Sequence, residues 1–416
     1  LAELLSWAII AAAIGGVILR PFGVAEVIPA VGGAVLLVVC GLLPAAAAWR
    51  GVAQGGNVYL FLGGMMLLAE LARAEGLFGW VAAHAVRLAQ GSATRLFTLV
   101  YLVGTVVTVF LSNDATAVVL TPAVAAVVRQ VKAKNPLPFL LICAFVANAA
   151  SFVLPISNPA NLVIYGSQMP DLLAWLRRFA LASGLATGAT YVLLRVTQRA
   201  ALRQPLAAPE AVPGLPRGGR LTGWGIILMA GVLLLASGFG IPLGWPTALA
   251  GGATAAVVLG QRREAPWGLL GKISWSTLLL VAGLFVLVQA LAQTGVVAGI
   301  AGVLRQMEVA APGVSVWGGG IGLGLASNLM NNLPAGLIAG QAAQAAGASG
   351  TLRGGLLIGV DLGPNLSVTG SLATILWLQA LRREGLEVSF GQFLRLGLVV
   401  MPPALLLGLL GLMLTG

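Results

Sequence analysis

The chain has 416 residues, 59% of them hydrophobic and only 8% charged. Soluble domains carry about 45–50% apolar and about 25% charged residues, so no soluble core hides this much apolar surface and the lipid bilayer is its natural solvent. The net charge of +11 does not point to nucleic acid as a partner, because the Lys and Arg residues sit in short loops between apolar runs and form no single stripe with interleaved aromatics.

The first apolar run, Leu4–Leu19, lacks a basic leader and a clear cleavage site, so it is expected to be a span and not a removed signal. Val24–Leu43 and Asn57–Leu71 follow as spans. Leu77–Gln90, with the single histidine His84, reads as an amphipathic helix at the membrane surface. Leu96–Val128 is too long for one crossing, which takes about 20 residues, and Ser112-Asn113-Asp114 interrupts its centre. It is expected to be a re-entrant hairpin that enters and leaves on one side. A long segment, Leu137–Tyr165, and the span Phe179–Leu194 complete the first half. Cys40 and Cys143 lie in apolar runs without CxxC spacing, so neither a disulfide framework nor a metal site is expected.

Gln198–Arg220, with Pro205, Pro209, Pro213 and Pro216, is the one clear linker. After it come Leu221–Gly238, Leu243–Gly260 and Thr277–Leu291 as spans. Val314–Ala346 forms a second hairpin, broken at Asn328 to Asn332 and at Pro334. The long segment Leu356–Leu381 and the span Leu396–Leu414 end the chain. The Gly318-Gly319-Gly320 run, with Gly322 and Gly324, suits close helix packing. No GxxxxGK[ST] motif exists, so ATP hydrolysis by the chain itself is not expected. Enzymatic activity and cofactors are not expected either.

The halves repeat. Gly64 aligns with Gly283, Asn113-Asp114 with Asn331-Asn332, and Asn148 with Asp361, at offsets of 219, 218 and 213 residues. Ser157-Asn158-Pro159-Ala160-Asn161 aligns with Gly370-Ser371-Leu372-Ala373-Thr374. Five spans is an odd number, so the second half starts on the opposite face, the inverted-repeat architecture of secondary transporters. The expected fold is an all-α polytopic membrane protein, an inverted repeat of five transmembrane helices plus a re-entrant hairpin each, with discontinuous helices. Residues 1–197 form the first repeat (hairpin about 96–131, broken helix 137–166). Residues 198–220 are a cytoplasmic linker, and residues 221–416 are the second repeat (hairpin about 313–346, broken helix 354–381). With the N-terminus placed on one side, that side receives Arg50, Arg177, Arg178, Arg305 and Arg353, and the other side the rest of the 23 Lys and Arg. The positive-inside rule makes the richer side cytoplasmic and puts both termini outside.

Four stretches, Leu96–Val128, Asn135–Pro170, Val309–Leu352 and Gly354–Leu381, contain just two charged residues, Asp114 and Asp361. Asn113, Asn148, Asn158, Asn161, Asn328, Asn331, Asn332 and Asn365 cluster at their expected breaks, with Pro155, Pro159, Pro334 and Pro364. Unwound backbone at membrane depth is tolerated only where protein or a wet cavity satisfies it, and a buried ionised carboxylate costs several kcal/mol. Asparagines also cap helices, and Asp114 has a capping reading beside the functional one. Glu70 reads as structural, paired with Arg73 three residues on. With no basic residue in these stretches, a cation or a neutral polyhydroxyl solute fits better than a citrate-like anion.

The run Asp361-Leu-Gly-Pro-Asn-Leu-Ser-Val-Thr-Gly-Ser-Leu-Ala-Thr-Ile-Leu-Trp377, with Asn331-Asn332-Leu-Pro334 and Phe110-Leu-Ser-Asn-Asp-Ala-Thr-Ala-Val-Val-Leu-Thr-Pro122, closely resembles the arsenite/antimonite efflux permease family of the ion transporter superfamily. The resemblance implies extrusion of arsenite or antimonite across a bacterial or archaeal cytoplasmic (inner) membrane, coupled to protons. It also implies a possible cytosolic arsenical-pump ATPase as partner, because the family includes members that dock one. The substrate-binding candidates it implies are Asn113, Asp114, Asn148, Ser157, Asn158, Asn161, Asn331, Asn332, Asp361, Ser371 and Thr374, with Asp114 and Asp361 coupling to protons. The dicarboxylate carriers of that superfamily carry SNT at their tips, where this chain has Ser112-Asn113-Asp114 and Met330-Asn331-Asn332. The alternative is a sodium/proton antiporter or other cation-coupled carrier of the same superfamily, and a reading of a different class is a channel-like or membrane-anchoring subunit for a separate ATPase.

Overall fold

A backbone in hydrocarbon must satisfy its own N–H and C=O groups, and helices do so within one segment. The computed structural model describes residues 2–20, 24–207 and 214–416, so residues 208–213 of the expected linker, with Pro209 and Pro213, lie outside the described residues. The first repeat opens with α1 (Ala2–Leu19), α2 (Val27–Val39), α3 (Ala45–Gln54) and α4 (Gly56–Ala74), followed by the amphipathic α5 (Leu77–Ala89). In the hairpin α6 (Ala93–Leu111) runs in, and α7 (Asn113–Ala115), a π-turn over Thr116–Leu120 and α8 (Thr121–Gln130) run back. Next come α9 (Leu137–Ala149) and α10 (Pro159–Tyr165), the halves of one broken helix, and then α11 (Leu172–Thr197).

The second repeat follows the same plan. It comprises α12 (Arg217–Gly238), α13 (Gly244–Arg262), the short α14 (Trp267–Leu270), α15 (Trp275–Gln293) and α16 (Val296–Ala310). A hairpin of α17 (Pro312–Met330) and α18 (Asn332–Ala346) leads to the broken helix α19 (Gly350–Leu362) and α20 (Leu372–Arg383), and α21 (Phe390–Thr415) closes the chain. The correspondence is close in detail. α4 and α15 each have 19 residues, and α11 and α21 each have 26. Gly76 and Gly295 make the left-handed turns after α4 and α15, at φ +72° and +81°, where a side chain would be strained.

Among the described residues six helices are both long and apolar enough to cross a membrane. One of them is α6, whose 19 residues reach about 28 Å at 1.5 Å per residue. Its end is nevertheless held inside the protein, because the Asn113 N–H donates to the Ser157 carbonyl, at the break between α9 and α10 (3.2 Å). Helix α3 falls between the spans expected from the sequence: its Trp49 and Arg50 are exposed, and its stripe of small residues packs on α15.

Helices approach closely where glycine removes the side chain. A Cβ on Gly251 of α13 would lie 2.8 Å from the Gly64 carbonyl oxygen of α4. The glycine run of α17 has the packing role expected from the sequence: a Cβ on Gly320 would lie 2.9 Å from the Gly355 carbonyl oxygen of α19. Such backbone contact drives helix association where lipid offers no hydrophobic effect. Glu70 pairs with Arg73 at 2.8 Å, as the spacing implied.

Candidate functional site

The site grows from four chain breaks. Asn158 begins α10 and accepts from the Ala160 N–H (3.0 Å); Ser371 begins α20 and accepts from the Ala373 N–H (3.1 Å). Capping at these positions satisfies amides that a helix start leaves free. Each hairpin turns at one residue of positive φ, Ser112 (+122°) and Asn331 (+72°). Ser112 then accepts from the Ala115 N–H and Asn331 from the Leu333 N–H. Each tip bonds the break of its own repeat, the Asn332 N–H reaching the Gly370 carbonyl at 2.8 Å, as Asn113 reaches Ser157.

This geometry corrects the sequence alignment at the tips. Ser112 corresponds to Asn331, so Asn113 corresponds to Asn332 and Asp114 to Leu333. The pairing of Asn113-Asp114 with Asn331-Asn332 is one residue out, because it matches similar side chains where turn geometry sets the register.

Behind the tips the two repeats bond to each other. The Asn158 amide donates to Asp361 Oδ1 at 2.7 Å. The Asn148 amide donates to Asn365 Oδ1 at 3.0 Å and to Thr374 Oγ1 at 3.4 Å, and Asn365 donates to the Phe145 carbonyl at 3.0 Å. Asp361 is fully buried, and its Oδ2 has no hydrogen-bond partner. The Ser151 hydroxyl, also beside Asp361, donates to the Asn148 carbonyl at 2.7 Å. The Asn161 amide supplies the unwound carbonyls of Ser151, Leu154 and Pro155. Ser157 donates to the Val109 carbonyl and accepts from the Leu154 N–H.

Between tips and breaks lies a cavity of about 30 Å³, room for about two water molecules. Its polar lining is Asn113 and Asp114 from hairpin 1, Asn158 from the first break, Asn332 from hairpin 2, Ser371 from the second break and Thr277 of α15. Of the candidate residues, then, Asn113, Asp114, Asn158, Asn332 and Ser371 face one space. Asn148, Asn161, Asp361 and Thr374 form a buried layer behind it, with Asn158 touching both, while Ser157 and Asn331 shape the break and the tip.

Asp114 and Thr277 also line a second cavity of about 100 Å³, which adds Glu70 and Lys272. Glu70, Lys272 and Thr277 in turn line a vestibule of about 1020 Å³ that Arg20, Glu26, Arg73, Arg383 and Glu384 surround. The three spaces share walls from α4, α15 and α20, so the site connects to the end of the molecule where α1 and α4 end and α15 begins. Arg20 pairs with Glu26, Arg73 with Glu70 and Arg129 with Glu384. The inner cavity has no Lys or Arg in its lining, in line with the sequence reading. Lys272, one chamber out, qualifies that reading. Sequence reasoning missed Thr277 and Lys272 because both fall outside the charge-poor stretches; the repeat supplied no signal for either.

The family model described as "Citrate transporter" matches residues 7–360 of this chain. The arsenical pump membrane protein of Escherichia coli (strain K12) is 29% identical over 365 residues, 82% of each chain. The putative arsenical pump membrane protein of Bacillus subtilis (strain 168) is 24% identical over 420 residues, 92% of this chain and 93% of that one. Among solved structures, the YdaH transporter of Alcanivorax borkumensis superimposes with a TM-score of 0.57 at 19% identity, over 89% of this chain and 85% of that one, a likeness of fold.

Proposed function

The chain belongs to the citrate-transporter family of membrane transporters, and within that family we propose that it exports small uncharged metalloid hydroxides, arsenite and antimonite, in exchange for protons. One observation carries this reading: a single small cavity gathers amides, hydroxyls and one carboxylate from both repeats and has no Lys or Arg in its lining. A compact trihydroxide offers hydroxyls to such a wall. A tricarboxylate would bring several negative charges that no cation in that lining matches. The relatives named as arsenical pumps support the same substrate class.

In the proposed cycle Asp114 meets the substrate, and Asp361, behind Asn158, exchanges a proton as the site empties. The Asn158 amide touches the cavity and holds Asp361 Oδ1, so it links the two events. The vestibule reaches the site from the end that carries Arg20, Arg73, Lys272 and Arg383, which the positive-inside rule assigns to the cytoplasm. This supports an inward-facing state of an alternating-access cycle.

The test is arsenite uptake into inside-out vesicles, with and without an imposed pH difference. Uptake should follow the proton gradient, should ignore sodium, and should not be competed by citrate. Uptake that survives collapse of the proton gradient overturns the coupling. Citrate transport without metalloid transport overturns the substrate.

A further inference from the structure

At the end of the molecule away from the vestibule, α19 begins beside the tail of α10. Arg353, in the first turns of α19, is 6% exposed, and its Nε has no hydrogen-bond partner. Among the described residues its one hydrogen-bonded side-chain acceptor is the uncharged Gln168 amide oxygen. Tyr165, the last residue of α10, is 4% exposed, and its hydroxyl lies beside the guanidinium groups of Arg178 and Arg353. The Arg178 guanidinium lies over Gly350, the first residue of α19, where a Cβ would come within 2.5 Å. Asp171 accepts from the Ala174 N–H (2.9 Å) and Glu308 from the Ser349 N–H (3.0 Å), so both carboxylates serve backbone amides. Among the described residues neither Arg178 nor Arg353 takes part in an ion pair.

The repeat shows that packing does not demand a charge here. Arg353 stands fourth in α19, and the fourth residue of α9 is Leu140, fully buried. The same framework therefore accepts an apolar side chain, and burying a guanidinium without a counter-charge is costly. Two guanidinium groups and a phenol present a fork of donors suited to a tetrahedral oxyanion. The positive end of the α19 dipole adds to the attraction.

We propose that Arg178, Arg353 and Tyr165, with the start of α19, bind a phosphate group, supplied by an anionic phospholipid headgroup or by free phosphate. The bound phosphate ties the end of α10 to the start of α19 and offsets the buried guanidinium. The inference is independent of what the protein transports.

The experiment is thermal unfolding of the purified full-length chain in a neutral detergent. Phosphatidylglycerol, a neutral glycolipid with the same acyl chains, and inorganic phosphate are titrated separately. Phosphatidylglycerol or phosphate should raise Tm saturably, and the glycolipid should not. A response to the lipid alone identifies the headgroup as the source; a response to phosphate identifies the free anion. Arg353→Leu should abolish the response. Arg178→Gln, at a half-buried position, should abolish it too and stands in if the first variant fails to fold. Tyr165→Phe should raise the concentration for half-maximal response several-fold. No shift with either phosphate source, or a full response retained in both arginine variants, overturns the proposal.

Discussion

The two hairpins share a backbone plan and differ in what they carry. Hairpin 1 places Asp114 just past its tip and then unwinds into the π-turn Thr116–Leu120, a feature frequent at functional sites. Hairpin 2 has Leu333 at the corresponding position and runs back as regular helix. In-going arms differ as well. α17 lies backbone to backbone on α19 through Gly320, whereas the equivalent position of α6 is Tyr101, whose hydroxyl reaches the Thr187 carbonyl at 2.7 Å. Hairpin 2 is further clamped by Asn328, which donates to the carbonyls of Gly324 and Gly363 and accepts from Ser367. At the breaks the asymmetry reverses: repeat 2 has Asp361 where repeat 1 has Asn148. A symmetric frame thus holds two carboxylates at unrelated positions, one at a tip and one at a break. Symmetry positions the backbone, and departures from it position the charge.

The largest effect expected from breaking this arrangement is at Asp361. Asp361→Leu strands the buried Asn158 amide, at about 1–3 kcal/mol, and metalloid uptake should fall to the level of empty vesicles. Asp361→Asn keeps the acceptor and should fold, yet uptake should still be lost. Adding Asn148→Asp to it moves the carboxylate to the equivalent site, where Asn365 and Thr374 are its neighbours. Recovery of uptake in that double variant would make the two breaks interchangeable and remove the special place of Asp361 behind Asn158.

Next in size is the pair Asp114→Asn and Leu333→Asn. The first should remove most uptake and the second little, measured in the same vesicles; equal effects would erase the distinction between the tips. Gly320→Leu should then lower stability by about 1–3 kcal/mol through overpacking, seen as a fall in Tm. Tyr101→Phe should cost about 0.5–1.5 kcal/mol for one hydrogen bond. The smallest effect is expected at Lys272, which lies one chamber outside the inner cavity. Lys272→Gln should raise the KM for arsenite a few-fold with little change in kcat, and loss of all uptake would place that cation in the site itself.

Much of the fold was legible because lipid enforces a simple code. Long apolar runs had to be helices, and runs too long for one crossing with Asn113 or Asn331 at the centre had to turn. Glu70 with Arg73, three residues apart, announced its own ion pair. Less legible were contacts between segments distant in the chain. Thr277 and Lys272 reach the chambers from an ordinary span and its approach loop, and neither differs in composition from residues that face lipid or water. The tip register escapes the sequence for a related reason: matching Asn with Asn ignores that a positive φ, not side-chain identity, marks the turn.

Composition and periodicity alone determined the all-helical membrane architecture, the two inverted halves and the short list of polar residues buried in them. They did so because an unpaired backbone group or charge in hydrocarbon is too costly to occur without a reason. The tertiary structure decided which of those residues share a cavity, which stand behind it, and that Asn158 bridges to Asp361 across the repeats. Those relations depend on how two separately encoded halves pack at the pseudo-twofold axis, and distance along the chain carries no record of distance across it.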